Sequence, residues 1–171
     1  MATLHPKPLT LNPKLIIGLG NPEKKYRNTY HNVGLIFIKY LKDQNLYSLP
    51  YTLLASNTYM NESGRFVAQA LNKYNIKPEA LLIVQDDSDL EIGKYKFTEP
   101  GHSAAGHHGI ESIQAALKTN NFWRLRIGIR PTTKTVRQKA EEFVLKKITA
   151  ENKKILKKNL LEIIEKLKQP N

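Results

Sequence analysis

Four short polar clusters interrupt the apolar runs of this chain: Asn21; His31 with Asn32; Met60 with Asn61; and Asp86 together with Gly106-His107-His108-Gly109. His31 has a side chain suited to taking a proton near neutral pH. A carboxylate beside it would hold the imidazole tautomer and stabilise the ring as it deprotonates water. Asp86, at the end of an apolar run, is the candidate partner. The competing reading is that His31 merely opens a helix and Asp86 merely faces solvent. Asn21 and Asn61 could align a carbonyl or a ribose hydroxyl through their amides. Asn21-Pro22 is also an ordinary turn pair, Asn61 a potential helix cap and Met60 ordinary core filling.

For these groups to meet, the elements carrying them must converge. Residues 15–19 form a short apolar run ending at Gly20, the pattern of a buried strand. Residues 32–41 have helical spacing, with Val33, Phe37, Tyr40 and Leu41 on one face. A short strand is expected over 51–55. A helix capped by Ser63 should bury Phe66, Val67, Ala70, Leu71 and Tyr74. Residues 80–84 read as a second buried strand leading into Gln85-Asp86-Asp87, and 94–97 as another strand. Residues 109–117 are helical by the spacing of Ile110, Ile113 and Leu117. Leu125, Ile127 and Ile129 alternate with Arg126, Gly128 and Arg130, which predicts a half-buried strand with one face open to other uses. Residues 132–138 read as a basic linker, and Ile155, Leu156, Leu160, Ile163, Ile164 and Leu167 stripe a lysine-rich helix. Strands alternating with helices predict an α/β fold with helices on both faces of a sheet, and strand-end loops in such folds carry sites. Pro6, Pro8 and Pro13 break up the N-terminal residues, so a flexible extension over 1–13 and a folded domain over 14–171 are expected.

Composition narrows the chemistry. The net charge of +12 and a pI of about 9.8 favour a polyanionic partner such as nucleic acid. The absence of cysteine removes thiolate nucleophiles and cysteine-ligated metals. Gly18-Leu19-Gly20 begins like a nucleotide-binding loop, but Pro22-Glu23 replaces the continuation and the third glycine is missing. His102, His107 and His108, or Asp86, Asp87 and Asp89, lack a convincing metal-ligand spacing. No apolar run is long enough to span a membrane, and no membrane partner is expected.

Taken in order, the motifs resemble the bacterial-type peptidyl-tRNA hydrolase family. LIIGLGNPEKKYRNTYHNVG (15–34) is similar to its opening strand, turn and histidine helix, and TYMN (58–61) to its T-x-M-N motif. VQDDSDL (84–90) is similar to its aspartate-bearing strand, GHHG (106–109) to its G-H-N-G motif and FWRLRIGI (122–129) to its late basic strand. The resemblance implies a single-domain three-layer α/β sandwich with a mixed central β-sheet. It implies hydrolysis of peptidyl-tRNA into peptide and tRNA, in translation and ribosome rescue, with His31 as the base activating water and Asp86 supporting it. Asn21, Tyr26, Met60, Asn61, His107 and His108 would bind substrate, and Lys96 and Arg126 the tRNA 5′-phosphate beside the acceptor stem. No cofactor, no metal and no stable protein partner are implied, and the monomer is the expected state.

The chain departs from that pattern at identifiable places. His108 stands where the family has asparagine, Thr98 where a second clamp lysine is usual, and Asp86-Asp87-Ser88-Asp89 where D-E-L-D is usual. The 42–57 region is short, and the C-terminal part is expected to cover less of the site than in relatives. These departures motivate one alternative, a catalytically weak or inactive RNA-binding member of the same fold. A cytoplasmic location is expected because no secretory signal is visible, with a mitochondrial one left open.

Overall fold

The structure, a computed structural model, describes residues 11–44, 50–132 and 139–168. The expected 132–138 linker falls almost wholly outside these residues, as does most of the expected N-terminal extension. Within the extension's last residues, Leu11 and Pro13 are already buried, so packing begins slightly ahead of Lys14.

Among the described residues five strands form one sheet, β1 (Leu15–Gly18), β2 (Thr52–Ala55), β3 (Leu81–Glu91), β4 (Tyr95–Thr98) and β5 (Trp123–Arg130), and four α-helices lie between and after them, α1 (Val33–Asp43), α2 (Ser63–Tyr74), α3 (His108–Leu117) and α4 (Ala150–Lys168). The strand order is β2-β1-β3-β5-β4, with β4 antiparallel to β5 and the other pairs parallel. The sheet is therefore mixed, and its parallel strands need both faces covered.

Strand alternation sorts the core into two layers. Leu15, Ile17, Leu81 and Ile83 face α2 and α3, where Val67, Leu71, Ile110 and Ile113 meet them. Ile16, Leu82, Val84, Leu125, Ile127 and Ile129 face the opposite way, onto Phe37, Ile38 and Leu41 of α1 and Leu156, Leu160 and Ile163 of α4. This is the three-layer sandwich anticipated from the sequence.

Two local expectations need correction. Ser63 does not cap α2. It is the first helical residue, fully buried, and its hydroxyl donates to the Met60 carbonyl instead. The strand expected over 80–84 runs on to Glu91, because β5 continues to pair with it after β1 has ended. β1 stops at Gly18, opposite Val84. Beyond that point one side of β3 is free of a strand neighbour, and Asp86 lies there. The chain leaves β1 for β2 on one side and reaches β3 on the other, so this crevice is the switch point at which open α/β sheets bind ligands.

Candidate active site

The first turn of α1 is pressed against the ends of β1 and β3. A Cβ on Gly34 would lie 2.4 Å from the Val84 carbonyl oxygen and 2.6 Å from that of Leu19, so only glycine permits this approach. The preceding 3-10 turn, Tyr30–Asn32, is held by backbone bonds from Tyr30 N to Lys146 O and from His31 N to Val144 O. His31, three residues before Gly34, is thereby placed over Asp86, two residues beyond Val84.

His31 Nδ1 lies 2.9 Å from Asp86 Oδ1, and His107 Nε2 lies 3.1 Å from the same oxygen. The two imidazole centroids are 5.6 Å apart. His107 also caps α3: its Nδ1 accepts the Ile110 backbone N–H at 3.3 Å. A neutral imidazole accepts through one nitrogen and donates through the other, so His107 Nε2 carries the proton and donates to Asp86. Likewise His31 donates Nδ1–H to the carboxylate, which leaves Nε2 with its lone pair for a reacting water. His31, Asp86 and His107 bring potential ligand atoms within 4.8 Å of one another. With His107 acting through Nε2–H, however, the grouping is a hydrogen-bonded relay. Neither set considered for a metal from sequence gathers as a set: Asp86 and His107 meet each other, but His102 is exposed, His108 turns to Glu111, and Asp87 and Asp89 turn to arginines.

Burial pushes the Asp86 carboxyl up, but the charge of His31 and the bonds from both histidines outweigh it and hold it well below the usual carboxylate range. Burial pulls His31 down, while the Asp86 charge and hydrogen bond raise it to a net value above its ordinary 6.5. The pair thus favours a charged imidazole beside an ionised carboxylate.

The cleft above the pair has a volume of about 170 Å³. His31, Asp86, His107, His108 and Arg126 are among its walls; Asn21, Tyr26, Met60, Asn61 and Lys96 are not. Asn21 lines a separate cavity of about 820 Å³. Its Oδ1 accepts the Met60 N–H at 2.9 Å, which leaves its Nδ2 as the group to offer a ligand. Met60 is buried, and its sulfur packs where a Cβ on Gly109 would be. It therefore fills core and braces the His107 loop together. Asn61 is exposed and does not cap α2. Tyr26 is half-buried beneath Lys25, whose Nζ is 4.8 Å from the ring centre. Lys96 is exposed and pairs in register with Arg126. His108 is exposed, with Nδ1 3.0 Å from Glu111 Oε2.

Three side chains have roles here that the sequence did not assign to them. Asn32 is buried and bonded twice to the Asn21 backbone, at 2.8 and 2.9 Å. Asp87 holds Arg126 Nε at 2.5 Å. Arg124, two residues from Arg126 on the same strand face, also lines the cleft. Strand alternation alone could have paired Arg124 with Arg126.

Residues 15–169 match the family model described as peptidyl-tRNA hydrolase. The peptidyl-tRNA hydrolase of Mycoplasma mycoides subsp. mycoides is 40% identical, over 89% of each protein. That of Prochlorococcus marinus is 39% identical, over 94% of this chain and 90% of the relative. The crystal structure of peptidyl-tRNA hydrolase from Acinetobacter baumannii superposes with a TM-score of 0.77 at 31% identity, covering 92% of this chain and 88% of that one.

Proposed function

The chain belongs to the peptidyl-tRNA hydrolase family, and from that premise we propose that it hydrolyses the ester joining a peptide to the 3′ end of its tRNA. The observation that carries this reading is the 2.9 Å contact between His31 Nδ1 and Asp86 Oδ1, which leaves His31 Nε2 to act as general base. Water gives a proton to Nε2 as its oxygen adds to the ester carbonyl. The ionised Asp86 stabilises the imidazolium that forms. The tetrahedral oxyanion then collapses, the bond to the ribose oxygen breaks, and that oxygen leaves with the proton held on His31. The products are a free carboxylic acid and a ribose hydroxyl, so no metal or redox partner enters the balance.

Asn21 is suited to orient substrate through its free amide hydrogens, since its Oδ1 is committed to Met60. Asn61 and Tyr26 remain substrate-binding assignments by resemblance. Lys96 and Arg126, cross-strand neighbours, suit the terminal 5′-phosphate of the acceptor stem. The excess of positive charge supports contact with the tRNA backbone.

The test is release of free tRNA from a defined peptidyl-tRNA by the intact protein and by His31→Ala. The intact protein is expected to turn over repeatedly, and the variant to lose on the order of 10²–10⁴-fold in kcat. If the intact protein only binds the substrate, in a salt-sensitive manner, the inactive RNA-binding alternative replaces this reading.

A further inference from the structure

Arg124 is a buried cation that ester hydrolysis does not use. β5 turns Arg124 and Arg126 to the same sheet face, two residues apart. Arg126 has an ion pair with Asp87. Arg124 is only 4% exposed, yet among the described residues no hydrogen bond or ion pair holds its guanidinium. Its stem is buried while the residue lines the cleft it shares with His31 and Asp86. Burial and the nearby Arg126 both pull its pKa down, against the opposing pull of Asp87. Asp87 offsets that charge only in part, so the cleft beside Arg124 favours an incoming anion.

Two further buried groups on that face lack partners. Gln85 is 3% exposed, donates Nε2–H to the Asp86 carbonyl, and has an unpartnered Oε1. It stands in register with Arg126 on β3 and also lines the cleft. Thr98 is 4% exposed with an unpartnered Oγ1, and stands opposite Arg124 on β4. The neighbourhood thus holds a donor fork without an acceptor and an amide oxygen without a donor.

We infer that Arg124 is a further cation of the phosphate site, beside Arg126 and Lys96, and that Gln85 Oε1 selects a terminal phosphate monoester over an internal diester. A monoester has its second ionisation near pH 6. It can therefore keep a P–O–H to donate to Gln85 while its other oxygens accept from the two guanidiniums. A diester has no such proton. Arg124 would also supply the charge absent at Thr98. This inference rests on the phosphate site proposed above.

The experiment is a titration of the intact protein with inorganic phosphate and with dimethyl phosphate at about pH 6, where each carries close to one negative charge and only the former has a P–O–H, at constant ionic strength and followed by calorimetry. Inorganic phosphate is expected to bind on the order of tenfold more tightly than the diester, the worth of one charge-assisted bond. Arg124→Gln should weaken the binding of both anions, because each of them accepts from its guanidinium. Because a buried arginine can be needed for folding, Gln85→Glu is the second variant. It keeps the side chain's length, sets a carboxylate in register with Arg126, and should abolish phosphate binding in a protein that still melts cooperatively. Equal binding of the two anions by the intact protein, or undiminished phosphate affinity in Gln85→Glu, overturns the inference. Neither readout involves turnover, so a protein that hydrolyses peptidyl-tRNA but fails here keeps the hydrolase reading and loses this one.

Discussion

His31 Nδ1 lies 2.9 Å from Asp86 Oδ1, and each group moves the other's protonation. The base must be neutral to work, and His31 is raised above 6.5 by the carboxylate despite its burial. The kcat/KM for peptidyl-tRNA should therefore climb with pH through an inflection above 6.5. Asp86→Asn removes the charge that raises His31. Its profile should be lower throughout, with the inflection displaced toward acid. An inflection that stays put in the variant would separate His31 from Asp86 as a working pair.

The same contact links stability to pH. His31 is raised on folding, so its contribution is complete below 6.5 and lost as pH rises through the raised value. Asp86 is lowered, so its contribution is complete above 3.8 and lost as pH falls through the depressed value. Both are present between 3.8 and 6.5. The Tm advantage of the intact protein over Asp86→Asn should peak in that window and shrink on either side in a thermal-melt series. A gap that keeps widening above the His31 inflection would contradict the assignment.

The amide of Asn32 is bonded to Asn21 N and O, which positions a proposed ligand group. Asn32→Ala leaves a donor and an acceptor of the Asn21 backbone unsatisfied. The expected loss is about 2–4 kcal/mol, counting each group at its desolvation cost. A fall in kcat should accompany it because Asn21 shifts. Urea denaturation reads the first effect, and a loss under about 0.5 kcal/mol, that of an ordinary surface change, would mean water replaces both bonds.

The layering was legible because strand alternation is a local property: Leu15 and Ile17 against Ile16 already divide two faces. His31 and Asp86 were legible as chemistry and as a candidate pair, and the resemblance gave each its role. The length of β3 was not legible, since Gln85-Asp86-Asp87 looks like a strand end and only the continued pairing with β5 makes it strand. Asn32 was hidden because its partner is eleven residues away through a turn, and Arg124 because its neighbours Trp123 and Leu125 read as core. The face of β5 expected to stand open is largely occupied: Arg124 is buried, Arg126 is half-buried on Asp87, and a Cβ on Gly128 would meet the Glu91 carbonyl oxygen at 2.2 Å.

Gly34→Ala tests whether α1 positions His31. The new Cβ would meet the backbone oxygens of Val84 and Leu19, neither of which can rotate away. The helix must lift, at a cost of about 2–3 kcal/mol, and His31 should lift with it. Gly101→Ala is the contrast: no atom lies within 4 Å, and only its φ of +95° is strained. Activity should fall in Gly34→Ala well beyond any fall in Gly101→Ala when both are assayed below their Tm. Equal activities would detach the helix from the site.

Asp87 poses two opposing effects on the phosphate site. Its Oδ2 holds Arg126 Nε at 2.5 Å, and its Oδ1 accepts the Asp89 N–H at 2.8 Å. Its charge also repels an incoming phosphate. Repulsion between unit charges ~6 Å apart, at an effective dielectric of ~20, is about 3 kcal/mol before screening. Ordering one side chain is worth about 1 kcal/mol. The charge should therefore dominate, and Asp87→Asn should lower KM for a 5′-phosphorylated substrate at low salt. The gain should fade as salt rises. Stability should move the other way, by about 1–2 kcal/mol, because the pair is only partly screened by solvent and one amide cannot keep both bonds. KM measured across a salt series alongside Tm decides the matter. A raised KM at low salt would show that holding Arg126 in place outweighs the charge that holds it.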